Sequence, residues 1–350
     1  MDSRRFFGRI FVLLLYTSHV PLNQIESYES YQSKETSERG WVVLPPVFEA
    51  EVQRWPELTP LLIGLAQRDS TTFMHSVAVH ETAMKLLSDL SLLFPFPSDV
   101  VQELQYRSPA LLLHDAGKDA AHKDEQIAHR IVHPKSAVMR PSEEMALHWI
   151  HPIMGADIVA HWGSTQSKTL QKATKHWAEL IKVHHASLVP YFESSDTFEH
   201  QRERQKESDI FDLCMLVVFK VSDVAMAMGL PRPHRESEYT KNEIRKVIQD
   251  HYLLPDELET LFGNSDFPLS EYIVTSVLGS LEQLQGMYTR DEWIQPKGFA
   301  NDFFTVPVLQ KNGESAVLEK VIAEVWSKYE AWWVSVMLSM DSDGVFSRAK

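Results

Sequence analysis

A histidine and an aspartate stand side by side at the end of an apolar run. Residues 110–118 read ALLLHDAGK, so His114 and Asp115 directly follow four apolar residues. We expect this run to be a buried helical segment, where an ionised carboxylate is costly unless something pairs with it. A divalent metal ion would pair with both side chains, since neutral imidazole and carboxylate are ordinary metal ligands. A His–Asp hydrogen bond at a capped helix end explains the dipeptide equally well, so other residues have to decide.

Further histidine and aspartate residues with the same chemistry occur in separate predicted helices. They are His75, His151, His184, His185 and Asp223. Adjacent helical residues point about 100° apart, so each histidine of the 184–185 pair could bind a different ion. Asp223 interrupts an almost unbroken apolar helix, where a carboxylate needs a partner. Each residue has an ordinary structural explanation, but the ordered series as a whole predicts a metal site.

The elements that must position these residues are predicted to be helical, and the expected fold class is all-α. Apolar residues recur at helical spacing, whereas strand signals are few. The predicted helices cover about 72–90, 99–113, 141–151, 153–162, 170–185, 211–228, 272–287 and 317–340, with two short helices in 48–67 and one or two in 240–261. We expect a helix to end at His151 and another to begin at Pro152, because a residue before proline is pushed out of helical geometry.

Composition narrows the function classes and the kind of metal site. The chain has 350 residues and a formal net charge of −14. This charge argues against binding to a DNA or RNA duplex, which needs a basic face, but not against a small anionic substrate beside bound cations. The only cysteine is Cys214, so the chain has neither an internal disulfide nor a thiolate zinc cluster. Histidine and carboxylate must therefore hold any metal ion.

The N-terminus begins like a secretory signal peptide but departs from that pattern. Arg4 and Arg5 precede an apolar stretch at 10–16, but Arg9 interrupts the run and no clear cleavage site follows. The stretch is also too short to span a bilayer. We expect a cytoplasmic protein without a transmembrane span, with export as the alternative. Residues 24–40 are polar and read as a linker.

The last predicted helix, 317–340, carries a stripe of aromatic residues. These are Trp326, Tyr329, Trp332 and Trp333. The stripe favours internal packing or a homodimer contact over a platform for stacking bases.

The order of these motifs resembles the HD superfamily of metal-dependent phosphohydrolases, and within it the HD-GYP cyclic-di-GMP phosphodiesterases. Residues 114–118, HDAGK, are similar to the HDxGK motif of that branch. The segment 143–155 ends in HPIMG and resembles HPxxG. Residues 220–227, KVSDVAMA, followed by RPHR at 232–235, resemble the aspartate helix and the RPYR motif. The resemblance covers about 71–262 and implies an HD-domain helical bundle.

Two positions depart from the family pattern. The family continues after its histidine pair with a glutamate and a DGxGYP loop, whereas residues 186–193 read ASLVPYFE. Thr71 stands where members with three metal ions carry a glutamate, so the resemblance implies a two-metal site. The expected division is an N-terminal extension and linker at 1–68, an HD domain at 69–265 and a C-terminal helical extension at 266–350.

The resemblance also implies a role for each candidate residue. Asp115 would bridge two divalent ions, iron or manganese, and Lys118 would neutralise a phosphate or protonate the leaving oxygen. Arg232 and Arg235 would hold a second phosphate. The expected ligands are His75, His114 and Asp223 for one ion, and His151, His184 and His185 for the other.

The implied function is hydrolysis of a cyclic dinucleotide, a small anionic nucleotide, by a water that two metal ions activate. Three alternatives remain open at this point. They are an HD phosphohydrolase acting on another nucleotide, an HD-fold di-iron oxygenase, and a signalling module that binds a nucleotide without turnover.

Overall fold

The protein is helical throughout the residues that the structure describes. A computed structural model describes residues 46–93, 100–118, 141–185, 207–232, 235–252, 268–294 and 320–325. Every regular element in these segments is a helix and none is a strand, which confirms the all-α prediction. Residues 1–45, with the predicted linker, lie outside this part of the chain, as do 186–193 and the aromatic stripe at 326–333.

The helices are numbered here in chain order. They are α1 (Pro46–Arg54), a 3₁₀ turn (Pro56–Leu58), α2 (Thr59–Arg68), α3 (Ser70–Leu93), α4 (Val100–Arg107), α5 (Pro109–Leu113), α6 (Pro141–Ser164), α7 (Lys168–Val183), α8 (Glu207–Gly229), α9 (Lys241–His251), α10 (Leu269–Met287) and α11 (Arg290–Ile294). Residues 320–325 are also helical.

Helix α3 lies at the centre of the packing. It contacts α1, α2, α5, α8, α10 and α11. Its start is capped by Asp69, whose Oδ1 accepts a hydrogen bond from the Thr72 amide at 2.8 Å. Phe73, Val77 and Leu90 are buried, as the apolar spacing predicts. A helix contacted by so many others can present a polar side chain to several elements at once.

Helix α6 differs from the sequence-based expectation. The predicted break at His151 is wrong, because one helix runs from Pro141 to Ser164 with Pro152 inside it. Proline lacks the amide proton that would bond the carbonyl four residues earlier. The helix nevertheless continues, because its apolar residues after Pro152 pack along α7, and this burial offsets one missing hydrogen bond.

One hydrophobic core spans the three predicted segments of the chain. It contains Phe48 and Leu61 from the predicted N-terminal extension, and Ile273 and Val277 from the predicted C-terminal extension. The boundaries near residues 68 and 265 therefore do not coincide with separate cores and stay a prediction. Among the described helices, none combines the length and the apolar character needed to cross a membrane.

Candidate metal centre

The predicted ligands come together from five parts of the fold. His75 lies in α3, His114 and Asp115 follow α5, His151 lies in α6, His184 and His185 follow α7, and Asp223 lies in α8. Three groups of their donor atoms lie within 4.8 Å of one another: His75, His114 and Asp115; His114, His184 and Asp223; and His151, His184 and His185. We call these seven residues the metal centre. Such groups of imidazole and carboxylate can hold metal ions.

Asp115 lies between the two sides of the metal centre. Its Oδ1 lies 3.2 Å from Nε2 of His151. Its Oδ2 lies 3.6 Å from Nε2 of His114 and 3.9 Å from Nε2 of His75. The two oxygens of one carboxylate therefore face different histidines, which is the arrangement of a carboxylate that can bridge two ions.

Asp223 supplies the second carboxylate of the centre. Its Oδ1 lies 2.9 Å from His75 Nε2 and 3.6 Å from His114 Nε2. Burial alone would raise the pKa of Asp223, but interactions with His114 and His75 outweigh it and hold the pKa well below its usual range. The pKa of Asp115 is held low in the same way by Lys118, His114 and His151 against the effect of burial. Both carboxylates are thus ionised.

The negative charges of the two aspartates favour cation binding at the metal centre. Burial would lower the pKa of His114, but Asp115 and Asp223 together raise it. His184 lies farther from these charges, and burial with three neighbouring histidines lowers its pKa well below the usual value. A buried pair of negative charges favours a proton or a metal ion, and a divalent ion offsets both charges at once.

The orientation of two histidines is suited to metal ligation. His114 Nδ1 lies 2.8 Å from the Leu111 carbonyl, and His184 Nδ1 lies 2.5 Å from the Ile181 carbonyl. A carbonyl can only accept, so Nδ1 carries a proton in both rings, and Nε2 is the atom that each ring can offer to a metal ion. Nε2 of His184 is buried and has no hydrogen-bond partner in the described segments. A buried nitrogen of this kind is suited to bind a cation.

Two glycines allow the backbone around Asp115 to lie against α6. A Cβ at Gly117 would collide with the His151 carbonyl and lie 2.5 Å from the Gly155 amide nitrogen. A Cβ at Gly155 would lie 3.2 Å from the His114 carbonyl oxygen. Close backbone approach is a common reason for glycine. The glycines of HDAGK and HPIMG thus bring Asp115 within reach of His151.

Two cationic side chains border the centre. Lys118 Nζ donates a hydrogen bond to Asp115 Oδ2 at 3.0 Å, and its side chain is 23% exposed. Arg232 lies just beyond the end of α8, and its Nη2 is 3.2 Å from His75 Nδ1. Both cations could contact an anion that enters the centre.

Arg235 faces another part of the fold. Its guanidinium donates hydrogen bonds to the carbonyls of Met228 and Ala227, the latter at 2.7 Å. It also lies 5.2 Å from the centroid of the Tyr239 ring. These contacts satisfy the last carbonyls of α8, so the geometry favours helix capping over the substrate contact that we expected of Arg235.

Phe219 is part of the site and was not predicted from the sequence. Its ring stacks on His184 with centroids 5.4 Å apart and packs edge-on against His114 at 5.2 Å. Phe219 precedes Asp223 by four residues, so both lie on the same face of α8. That spacing is the signal that could have identified it.

A second group of buried polar residues was also not predicted. Ser108 donates a hydrogen bond to Glu51 Oε1 at 2.8 Å, and Arg54 donates one to Glu51 Oε2 at 2.9 Å. His80 Nε2 lies 3.9 Å from the same Oε2. We call Glu51, Arg54, His80 and Ser108 the Glu51 cluster. Burial raises the pKa of Glu51 to about 7 and lowers that of His80 to about 3.

Comparisons of the chain with models of protein families, with curated proteins and with solved structures found no match. The resemblance to HD phosphohydrolases therefore stays a prediction from sequence motifs. What supports a function is the arrangement of the side chains described above.

Proposed function

We propose that this chain is a metal-dependent phosphodiesterase of the HD superfamily that hydrolyses a cyclic dinucleotide. The observation that carries the proposal is the position of Asp115. Its two oxygens lie 3.2 Å from His151 Nε2 and 3.6 Å from His114 Nε2, on different sides of the centre. A carboxylate shared in this way suits a pair of ions that act on one phosphoryl group.

The donor set limits which metal ions fit. It consists of histidine nitrogens and carboxylate oxygens, which suit iron or manganese. In our proposal Asp115 would contact both ions. The remaining ligands would be His75, His114 and Asp223 for one ion, and His151, His184 and His185 for the other.

In the proposed reaction the metal ions and the nearby cationic side chains have different roles. A bound pair of divalent ions lowers the pKa of a water molecule and offsets negative charge on the phosphate. Lys118, which is partly exposed and bonded to Asp115, is placed to contact a phosphate oxygen or to protonate the leaving oxygen. Arg232 adds a second cation beside His75 for another phosphate group.

A phosphoester other than cyclic-di-GMP is the second candidate substrate. Residues 186–193 read ASLVPYFE, which lacks the GYP sequence of the enzymes that the chain resembles. The substrate test must therefore include more than one cyclic dinucleotide.

The experiment is hydrolysis by full-length protein purified under anaerobic conditions and loaded with Mn²⁺ or Fe²⁺. Cyclic-di-GMP and 3′,3′-cGAMP are incubated with the wild type and with Asp115→Asn, and the products are separated by chromatography. We expect a linear dinucleotide or mononucleotides from at least one substrate, and no product from Asp115→Asn.

The control variant is Glu51→Gln, which removes a buried carboxylate outside the metal centre and should hydrolyse the substrate like the wild type. Binding of a nucleotide without turnover would contradict the proposal and favour a signalling module. Oxygen consumption with a polyol would favour an oxygenase.

A further inference from the structure

His75 differs from the other oriented histidines in the group that faces its Nδ1. His114 and His184 each direct Nδ1 at a backbone carbonyl. Nδ1 of His75 instead lies 3.2 Å from the Arg232 guanidinium. A guanidinium has donors and no acceptor, so Nδ1 of His75 accepts this hydrogen bond.

The direction of that hydrogen bond determines which ring nitrogen of His75 carries the proton. A neutral imidazole that accepts at Nδ1 carries its proton on Nε2. Nε2 lies 2.9 Å from Asp223 Oδ1, so the proton is donated to that carboxylate. His75 is thus held between a donor, Arg232, and an acceptor, Asp223.

While Arg232 donates to Nδ1, His75 cannot bind a metal ion through Nε2. A metal ion takes the Nε2 lone pair, and the proton then has to be on Nδ1. Nδ1–H and the Arg232 N–H groups would face each other, which is repulsive. Arg232 can therefore bond His75, or His75 can bind an ion, but both cannot occur together.

The side chain of Arg232 is less firmly held than that of Arg235. It lies three residues beyond the last residue of α8, Gly229, in irregular backbone, and is partly exposed. Arg235 is held by the carbonyls of Ala227 and Met228. Arg232 can thus leave His75 for an anion without breaking a helix cap.

We propose that Arg232 links anion binding to metal binding at His75. An anion with phosphate-like oxygens draws the guanidinium away from His75, and Nε2 becomes available to the ion. Because linkage is reciprocal, metal ligation by His75 also frees Arg232 for the anion. This inference rests on the proposed metal centre but does not require hydrolysis.

The test is a titration of metal-stripped, full-length protein with Mn²⁺, in which electron paramagnetic resonance measures the free ion. Sulfate is the anion probe, and sodium chloride at equal ionic strength is the reference. For the wild type we expect sulfate to tighten Mn²⁺ binding by about 5-fold or more, the lower end of typical site-to-site effects. For Arg232→Gln we expect binding at least as tight as in the wild type without sulfate, and no effect of sulfate.

The matched control is Arg245→Gln, which removes a surface arginine paired with Glu271 and should respond to sulfate like the wild type. A sulfate effect that persists in Arg232→Gln would overturn the inference, because sulfate would then bind the ions directly. Weaker Mn²⁺ binding by Arg232→Gln without sulfate would overturn it as well.

A second measurement uses only the wild type, so it does not depend on whether a variant folds. Nitrogen NMR of the metal-stripped wild type should find His75 protonated on Nε2 and His184 protonated on Nδ1. Protonation of His75 on Nδ1 would overturn the inference. If Mn²⁺ binds without any sulfate effect, only the link through Arg232 fails, whereas absence of Mn²⁺ binding removes the proposed function too.

Discussion

The metal centre and the Glu51 cluster both bury a histidine of α3 beside a carboxylate. His75 belongs to the first and His80 to the second, and their exposed fractions are 3% and 0%. The pKa values of Asp115 and Asp223 lie well below the usual range, whereas burial raises that of Glu51 to about 7. Burial is therefore common to both clusters, and ionised carboxylates distinguish the metal centre.

The clusters also differ in how their histidines are held. His114 and His184 each bond a backbone carbonyl through Nδ1, which directs Nε2 into the centre. In His80 neither ring nitrogen has a hydrogen-bond partner among the described residues. In that part of the chain, no group of three metal-binding side chains includes Glu51 or His80. The metal centre thus differs from the Glu51 cluster in having several donor atoms that lie close together.

The largest expected effect separates the two clusters by metal affinity. Asp115→Asn should weaken Mn²⁺ binding by more than about 100-fold, because changes in residues that only support ligands already cost about 10- to 100-fold. Glu51→Gln should leave Mn²⁺ affinity unchanged. The titration by electron paramagnetic resonance measures both, and equal losses in the two variants would remove the distinction between the clusters.

The next effect concerns the close backbone contact beside Asp115. Gly117→Ala should lower the free energy of unfolding by about 3 kcal/mol, because its Cβ collides with the His151 carbonyl. Gly279→Ala is the matched control, since no heavy atom lies within 4 Å of its Cβ position in α10. That variant should be more stable by about 0.5–1 kcal/mol. Urea unfolding measures both, and similar values for the two would contradict the described packing.

The pH dependence of stability tests the Glu51 cluster. The pKa of Glu51 rises from 4.5 to about 7 on folding, so the folded state holds the proton more tightly. Its contribution is complete below pH 4.5 and is lost as the pH rises through 7. Glu51→Gln should therefore match the wild type near pH 4 and exceed its free energy of unfolding by about 3 kcal/mol at pH 8.

Glu243→Gln provides a control of opposite sign. Hydrogen bonds from Thr240 lower the pKa of Glu243, so its contribution to stability is lost as the pH falls.

Burial also raises the pKa of a second carboxyl, that of Glu81, to about 7, so part of the wild-type pH dependence should persist in Glu51→Gln. A constant difference between Glu51→Gln and the wild type from pH 5 to 8 would show that Glu51 titrates normally.

The smallest effect is expected for His80, and His114 is the buried histidine with which it is compared. His80→Leu should keep Mn²⁺ affinity and change stability by less than about 1 kcal/mol at pH 7, because leucine fills a similar volume and leaves no polar atom without a partner. His114→Leu should lose Mn²⁺ affinity. Thermal unfolding with and without Mn²⁺ measures both, and stabilisation of His114→Leu by Mn²⁺ would place the ion elsewhere.

The sequence predicts the fold class and most of the helices because the apolar spacing is regular. In α3 the apolar residues Phe73, Val77 and Leu90 are buried, and the two short helices expected in 48–67 correspond to α1 and α2. The break at His151 was wrong because packing of α6 along α7 outweighs one lost hydrogen bond. The backbone preference of the residue before a proline cannot show that packing will outweigh the lost hydrogen bond.

The candidate ligands were identifiable from their order, but their surroundings were not. Glu51 and Ser108 are 57 positions apart, and only tertiary packing brings them together. Arg232 and Arg235 belong to one motif, yet one faces His75 and the other caps α8. Which way a long side chain turns depends on partners from distant parts of the chain.

The most direct test of the metal centre is anomalous X-ray diffraction from crystals of the full-length protein grown with Mn²⁺. We predict two anomalous peaks about 3.5–4 Å apart, on either side of the Asp115 carboxylate. One peak should contact His75, His114 and Asp223, and the other His151, His184 and His185. The absence of any peak within bonding distance of Asp115 would contradict the account.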